Sequence, residues 1–398
     1  MEPLSLAAVL AGLALVASIA SVELGISVAL LELTLGVIAG NALHLNANAG
    51  WLVFIAGFAS IVLTFLAGAE VDPDDFRERF CTSLLIGLVS FAGPFVVASL
   101  LALGPLGWSV RASLIAGTAL STTSLAVVYA VLVESGLNAT HVGKLLMSAC
   151  FVTDMATALA LSAIFITPNA YFPLFLIVSV ALIVGLPKLA RPFFRRYGDR
   201  VIEPEIRLVF FCLLGLMVLA NASKGQAVLP AFVLGLVMSR HYQLHRKEQE
   251  RLRVVAFAFL TPFFFLRGGL NVSLGAVIAN LGVLGVLIAA KMAPKLGLVL
   301  PLARRAEPRH AGFITLLMST GLTFGTISAL YGLNAGIITR TQFSLLVSVV
   351  VLSAIVPTAI AQHWLSPDHE HAHHVLPDAA GVFTGPGVPA ETAEDPAI

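Results

Sequence analysis

Apolar residues in this chain run in blocks of about twenty, interrupted by short polar clusters, with no polar face recurring along them as it does on the surface helices of a water-soluble domain. Read as spans, the blocks predict about thirteen helices: near 4–21, 23–41, 50–69, 80–103, 109–134, 142–166, 170–188, 206–222, 226–239, 252–270, 274–302, 309–332 and 342–364. The first block has no basic leader and no small-residue cleavage site, so it reads as a retained helix rather than a signal peptide. The ninth is short and contains Pro230.

Charge orients these spans. Seventeen Lys and Arg fall in the loops after windows 1, 3, 5, 7, 9 and 11, against Arg111, Lys224 and Arg340 on the other side. The positive-inside rule then places the N-terminus outside and the C-terminus in the cytoplasm of a multi-pass protein, as in a bacterial inner or plasma membrane. Arg267, Lys291 and Lys295 are left over, inside spans.

Composition agrees. The 398 residues are 58% hydrophobic and only 11% charged, with a mean hydropathy of +0.95, whereas soluble domains carry roughly 25% charged residues. A net charge of +1 gives no reason to invoke nucleic acid. Cys81, Cys150 and Cys212 are scattered in apolar surroundings, which argues against disulfides and thiolate metal sites. No cofactor is implied.

Two features break the apolar pattern. Asp154 lies in the middle of the sixth window, where a charge costs at least ~2.5–3.5 kcal/mol, so it is a functional residue by default. Hydroxyls and small residues gather inside the fifth window, at Ser121, Thr122, Thr123 and Ser124, and again inside the twelfth, at Ser319, Thr320 and Gly321. Backbone that leaves helical geometry at membrane depth survives where it lines a site, and such residues satisfy its freed groups.

An internal repeat links the two runs. Phe65-Leu66-Ala67-Gly68-Ala69 returns as Phe265-Leu266-Arg267-Gly268-Gly269, Leu120-Ser121-Thr122 as Met318-Ser319-Thr320, and Leu35-Gly36 as Leu234-Gly235. Each pair is seven windows apart, an odd shift that inverts direction, so windows 2–6 and 9–13 are expected to form inverted-topology repeats with two crossed broken helices at the midplane.

These residues resemble the monovalent cation:proton antiporters, in the branch that holds bacterial sodium/proton antiporters and potassium efflux relatives. The resemblance spans about residues 5–364 and rests on Glu32 in Leu31-Glu32-Leu33-Thr34-Leu35-Gly36, on Phe65 to Glu70, on the hydroxyls at 121–124, on Asp154, on Pro262-Phe263-Phe264-Phe265 and on the late lysines. It implies an all-α sodium/proton-antiporter-like fold in residues 1–366. A mobile core of windows 4–6 and 11–13 would work against a scaffold of the remaining helices, which also forms a homodimer, by elevator-like movement. Thr153 stands where sodium-linked members commonly carry Asp or Asn and potassium-linked ones Gln. The family's late lysine corresponds to Lys291 or Lys295, and Arg267 stands where many relatives are neutral.

One carboxylate with two rival occupants gives the expected chemistry. Protonated, Asp154 tolerates the low dielectric; ionised, it needs a cation or an ammonium beside it. Sodium or potassium would be held by Asp154 with hydroxyls from Thr153, Thr122, Thr123 and Ser124 and unwound carbonyls. Lys291, Lys295 or Arg267 would balance the empty carboxylate. The expected activity is exchange of a monovalent cation, sodium first, for protons; the alternatives are potassium/proton antiport and sodium-coupled symport of an organic solute, with Phe263 to Phe265 facing it. An intramembrane aspartyl protease needs two deep aspartates, so no enzyme is expected. Residues 367–398, with His369, His371, His373 and His374, read as a disordered cytoplasmic tail. Asp72, Asp74 and Asp75 follow Glu70 as a loop cluster, and Glu32 reads as a scaffold carboxylate.

Overall fold

In a bilayer each backbone polar group must find its partner within its own segment, which leaves helices as the open choice for blocks this apolar. A computed structural model describes residues 2–24, 27–71, 80–135, 137, 140–164, 169–197 and 202–364. The helices are α1 (Pro3–Leu24), α2 (Val28–Ala42), α3 (Gly50–Ala69), α4 (Phe80–Leu103), α5 (Val110–Ser121), α6 (Leu125–Glu134), α7 (His141–Ile164), α8 (Phe172–Tyr197), α9 (Pro204–Ser223) and α10 (Val228–Leu244), followed by α11 (Arg246–Leu270), α12 (Leu274–Ala279), α13 (Leu281–Ala306), α14 (Ala311–Met318), α15 (Thr323–Asn334) and α16 (Arg340–Trp364). The described residues contain no strand.

Ten helical stretches among the described residues are long and apolar enough to cross a membrane, fewer than the thirteen windows expected. The difference has local causes. Window 2 forms only the 15 residues of α2, window 9 the 17 of α10, and window 5 is cut into α5 and α6 by Thr122–Ser124. Window 12 is likewise cut into α14 and α15 at residues 319–322, but its whole stretch, Pro308–Asn334, is still one of the ten. Inside α11 and α13 the helix widens to single π turns at Ala256–Leu260 and Lys295–Val299, a distortion that often marks functional positions.

Backbone contacts reveal the inverted repeat directly. A Cβ on Gly36 of α2 would run into the Leu266 carbonyl of α11, and one on Gly269 of α11 into the Leu33 carbonyl of α2. The second pair repeats this: a Cβ on Gly235 of α10 would meet the Phe65 carbonyl of α3, and one on Gly68 of α3 the Phe232 carbonyl of α10. So α2 packs on α11 as α10 packs on α3, the reciprocity that a two-fold relation requires, and glycine at each crossing lets the backbones touch. The register is one residue off the sequence expectation: Gly68 answers to Gly269 and Phe65 to Leu266. The Gly268-Gly269 doublet satisfies the pattern in either register, and only packing separates them.

Around these pairs the helices sort into two groups. Helices α4, α5, α7, α13, α14, α15 and α16 pack among themselves, while α1, α2, α3, α8, α9, α10 and α11 pack on one another. Contact between the groups runs chiefly through α10 and α7, where Phe232 stacks on Phe151 at 5.6 Å and meets Phe324 of α15 edge-on at 6.2 Å. The compact unit spans Met1–Ser366. The His-bearing tail at 367–398 and the acidic cluster Asp72, Asp74 and Asp75 lie outside the described residues.

Candidate functional site: an ion-binding crossing of two broken helices

Threonine and serine compete for backbone hydrogen bonds and weaken a helix interior, so the hydroxyl runs are where the two helices part. Thr122 is extended, with φ −65° and ψ 154°. Most of the hydroxyls repair the ends they occupy: Ser121 donates to the Gly117 carbonyl, Thr122 to Ala119 (3.2 Å), Ser319 to Thr315 (2.8 Å) and Thr320 to Leu317 (2.8 Å). Thr123 instead reaches across, its Oγ1 donating to the Met318 carbonyl at 2.9 Å and tying one break to the other.

Lys295 occupies one side of this crossing. Its Nζ donates to the carbonyls of Thr122 (3.1 Å) and Met318 (2.6 Å) and to Thr123 Oγ1 (3.1 Å), using all three ammonium donors. The two carbonyls terminate α5 and α14, the negative ends of both half-helix dipoles, so a fully buried cation is held there by dipoles and hydrogen bonds. Lys291, one turn earlier, is also fully buried, and its Nζ has no hydrogen-bond partner. A side chain at Gly321 would collide with that Nζ, so the glycine leaves the space the ammonium fills.

Asp154 occupies the other side. It is 2% exposed on α7, and its Oδ1 is buried without a hydrogen-bond partner. It lines a cavity of about 40 Å³ with Glu70, Thr123, Thr323, Phe257, Phe324 and Leu125. That is room for a few waters, since one needs roughly 10–15 Å³ of such space. Leu125 and Thr323 begin α6 and α15, so the positive ends of the second half-helices border the same cavity as the carboxylate. The crossing thus has two polar faces: two negative dipole ends around Lys295, and two positive ends beside Asp154.

The remaining expected residues fall out as follows. Thr153 is buried beside Asp154, with its hydroxyl donated to the Cys150 carbonyl at 2.7 Å, leaving the oxygen as an acceptor. Ser124 Oγ is buried and unpartnered. Neither lysine forms an ion pair with Asp154; Lys295 is bound to the crossing itself. Arg267 is not brought to the carboxylate: its Nε donates to the Ala47 carbonyl (3.0 Å) and its Nη2 to Asn334 Oδ1 (2.9 Å), bracing the end of the bundle where α15 finishes. Phe263 packs edge-on against Trp51 and Phe259, and none of Phe263 to Phe265 lines the Asp154 cavity. Glu32 is 1% exposed on α2, with Oε2 unpartnered.

Sequence reasoning gave no site role to Thr323, Phe257 or Phe324, and treated Glu70 as a helix-end charge. Thr323 carried a usable signal, being the first helical residue after the second break. Glu70 is paired with Arg253 at 3.3 Å at the rim, so the cavity's outer lip carries an ion pair.

Comparisons with known proteins bear on the family and the fold. The family model described as "Sodium/hydrogen exchanger, transmembrane" matches residues 6–366. The chain is similar to the probable Na(+)/H(+) antiporter 3 of Methanocaldococcus jannaschii, 23% identical over 82% of this chain and 88% of that protein. It is also similar to the Na(+)/H(+) antiporter NhaS4 of Synechocystis, 27% identical over 78% of this chain and 81% of the relative. The K(+)/H(+) antiporter 1 of Saccharomyces cerevisiae is 26% identical over 81% of this chain, which spans 40% of that longer protein. Among solved structures, that of the sodium proton antiporter MjNhaP1 from Methanocaldococcus jannaschii at pH 8 superposes with a TM-score of 0.67 at 15% identity, over 91% of this chain and 98% of that one, a likeness of fold.

Proposed function

The chain belongs to the sodium/hydrogen exchanger transmembrane family, and we propose that it exchanges sodium for protons across a membrane, with Asp154 as the group that both compete for. The observation that carries this reading is Asp154 itself: its Oδ1 is buried and unpartnered, and the residue lines a cavity with room for water or a partly hydrated ion. When Asp154 is protonated the site is neutral and dry enough to cross the bilayer. When it is ionised, an alkali ion completes it, with Thr123 and Thr323, which line the same cavity, as hard oxygen ligands. The dipole ends of α6 and α15 ease loss of the proton.

Lys295 takes the structural part of the charge balance, holding α5 and α14 together at their negative ends. Lys291 has no such hydrogen bonds, and of the two lysines it is Lys295 whose charge acts on Asp154. With one carboxylate exchanging one proton for one cation, the cycle is electroneutral. Thr153, in place of a second acid, supports that stoichiometry.

Movement follows the packing. The helices bearing the crossing slide as a body against the scaffold along the α7–α10 seam, whose contacts are largely aromatic and apolar, and the scaffold pairs two copies into a homodimer. The basic ends of α8, α11 and α13 face the cytoplasm, with the N-terminus outside. A cavity of about 40 Å³ suits an ion and disfavours an organic solute.

The test is a pH gradient imposed on proteoliposomes with sodium or potassium and no organic solute. Dissipation of the gradient on adding sodium supports the proposal; dissipation with potassium alone reassigns the cation; none with either refutes antiport.

A further inference from the structure

At the basic end of the scaffold, α10 stops at Leu244 and α11 starts at Arg246, with His245 between them at φ −129° and ψ 60°. This single-residue turn brings the first turn of α11 back against the last turn of α10. Three metal-binding side chains meet there. His241 Nε2 lies 2.9 Å from Glu248 Oε2, the His241 and His245 rings stack at 4.5 Å and 16°, and one ligand atom from each of His241, His245 and Glu248 lies within 4.8 Å of the others. None of the three borders the Asp154 cavity.

We propose that His241, His245 and Glu248 form a binding site for a divalent transition metal of the zinc class, stapling α10 to α11. Two imidazoles and a carboxylate are a donor set that suits zinc, cobalt or nickel, and that alkali cations disfavour. Zinc bonds of about 2.0–2.2 Å put tetrahedral ligands roughly 3.3 Å apart. The present spread of up to 4.8 Å therefore needs up to about 1.5 Å of side-chain adjustment and a tilt of the stacked rings, so that both lone pairs meet one ion. The metal takes the place of the proton shared by His241 Nε2 and Glu248 Oε2, which is released to solvent.

Second contacts favour the arrangement. His245 Nδ1 is 3.1 Å from the His241 carbonyl; as the N–H donor there, it turns Nε2 outward as the ligand, the orienting bond usual for metal-bound histidine. His241 is 8% exposed and walled by Phe194 at 5.1 Å. His245 is exposed and gives the ion a route in. Glu205 of α9 lines one small pocket with Glu248 and is a nearby second carboxylate, a candidate for the fourth ligand, with water as the other choice. The guanidiniums of Arg251 and Arg253 have carboxylates of their own, Arg251 with Glu203 and Glu205 and Arg253 with Glu70, while Arg246 and Lys247 are exposed to solvent.

The experiment must separate this site from the tail histidines, which are donors too. The full chain, purified without a histidine tag and with His369, His371, His373 and His374 each changed to Gln, is stripped with chelator. Zinc binding is then followed by calorimetry and cobalt binding by visible absorption. The expected result is one ion per chain, a d–d spectrum of four- or five-coordinate cobalt, and at least tenfold weaker binding in both His245→Gln and Glu248→Gln. His245 is exposed, so its substitution is expected to spare the fold, as size-exclusion elution and thermal melting of the metal-free proteins will show. Binding that vanishes with the tail histidines overturns the proposal, as does stoichiometric binding that His245→Gln leaves unchanged.

Discussion

The two faces of the helix crossing hold opposite charges under opposite conditions. Lys295 is fully buried, and each of its ammonium protons has an acceptor. Asp154 is nearly as buried, yet its Oδ1 has no partner and the residue lines a cavity. A buried polar group with all its bonds made stabilises the structure it belongs to; one left short by about 1–3 kcal/mol accepts whatever ligand relieves the deficit. The proposed function rests on this contrast, with architecture given to the lysine and exchange to the carboxylate within one crossing built from two copies of one motif.

The largest effect is expected where the contrast is removed outright. Asp154→Asn keeps the shape and deletes the titrating charge, so proteoliposome antiport should fall to the level of protein-free vesicles while melting and elution stay native. Next comes stability. Lys295→Met strips the Thr122 and Met318 carbonyls and Thr123 Oγ1 of their donor and should cost about 2–5 kcal/mol, seen as a clear loss of thermal stability. Lys291→Met removes an ammonium that has no partner to lose, so it should leave the melting temperature unchanged or raise it. Equal destabilisation by the two substitutions would erase the distinction between the hydrogen-bonded and the unbonded lysine. Thr123→Val should be milder, about 1–2 kcal/mol, because it removes one acceptor of Lys295 and one bond between the breaks. Smallest of all is the rim: Glu70→Gln should raise the apparent KM for sodium about two- to fivefold at low ionic strength and less in high salt, as a partly screened charge does.

Much of this was legible in the chain because membranes make polar residues conspicuous. Asp154 stood out as a carboxylate in an apolar block, and the hydroxyl runs at 121–124 and 319–321 marked both breaks. What escaped was whatever depended on packing between segments. Lys291 and Lys295 are four residues apart on one helix face, and only the positions of the Thr122 and Met318 carbonyls distinguish their surroundings. Arg267 was indistinguishable in sequence from a site residue until Ala47 and Asn334 were seen to hold it. The repeat register between Gly68 and Gly269 was hidden by a glycine doublet. Thr323 and Phe257 joined the cavity through the crossing and the inter-group seam, neither of which a periodicity reports.

The central claim is competition: a proton and a sodium ion are alternative occupants of Asp154. The direct measurement is the initial rate of sodium-driven proton movement in proteoliposomes, as a function of sodium concentration, across a series of symmetric pH values. If the two share one carboxylate, acidification fills it with protons, so the apparent KM for sodium should rise toward tenfold per pH unit on the acid side while the maximal rate holds. An apparent KM for sodium that stays constant across that series, with the rate falling instead, would contradict a shared site and place the proton elsewhere.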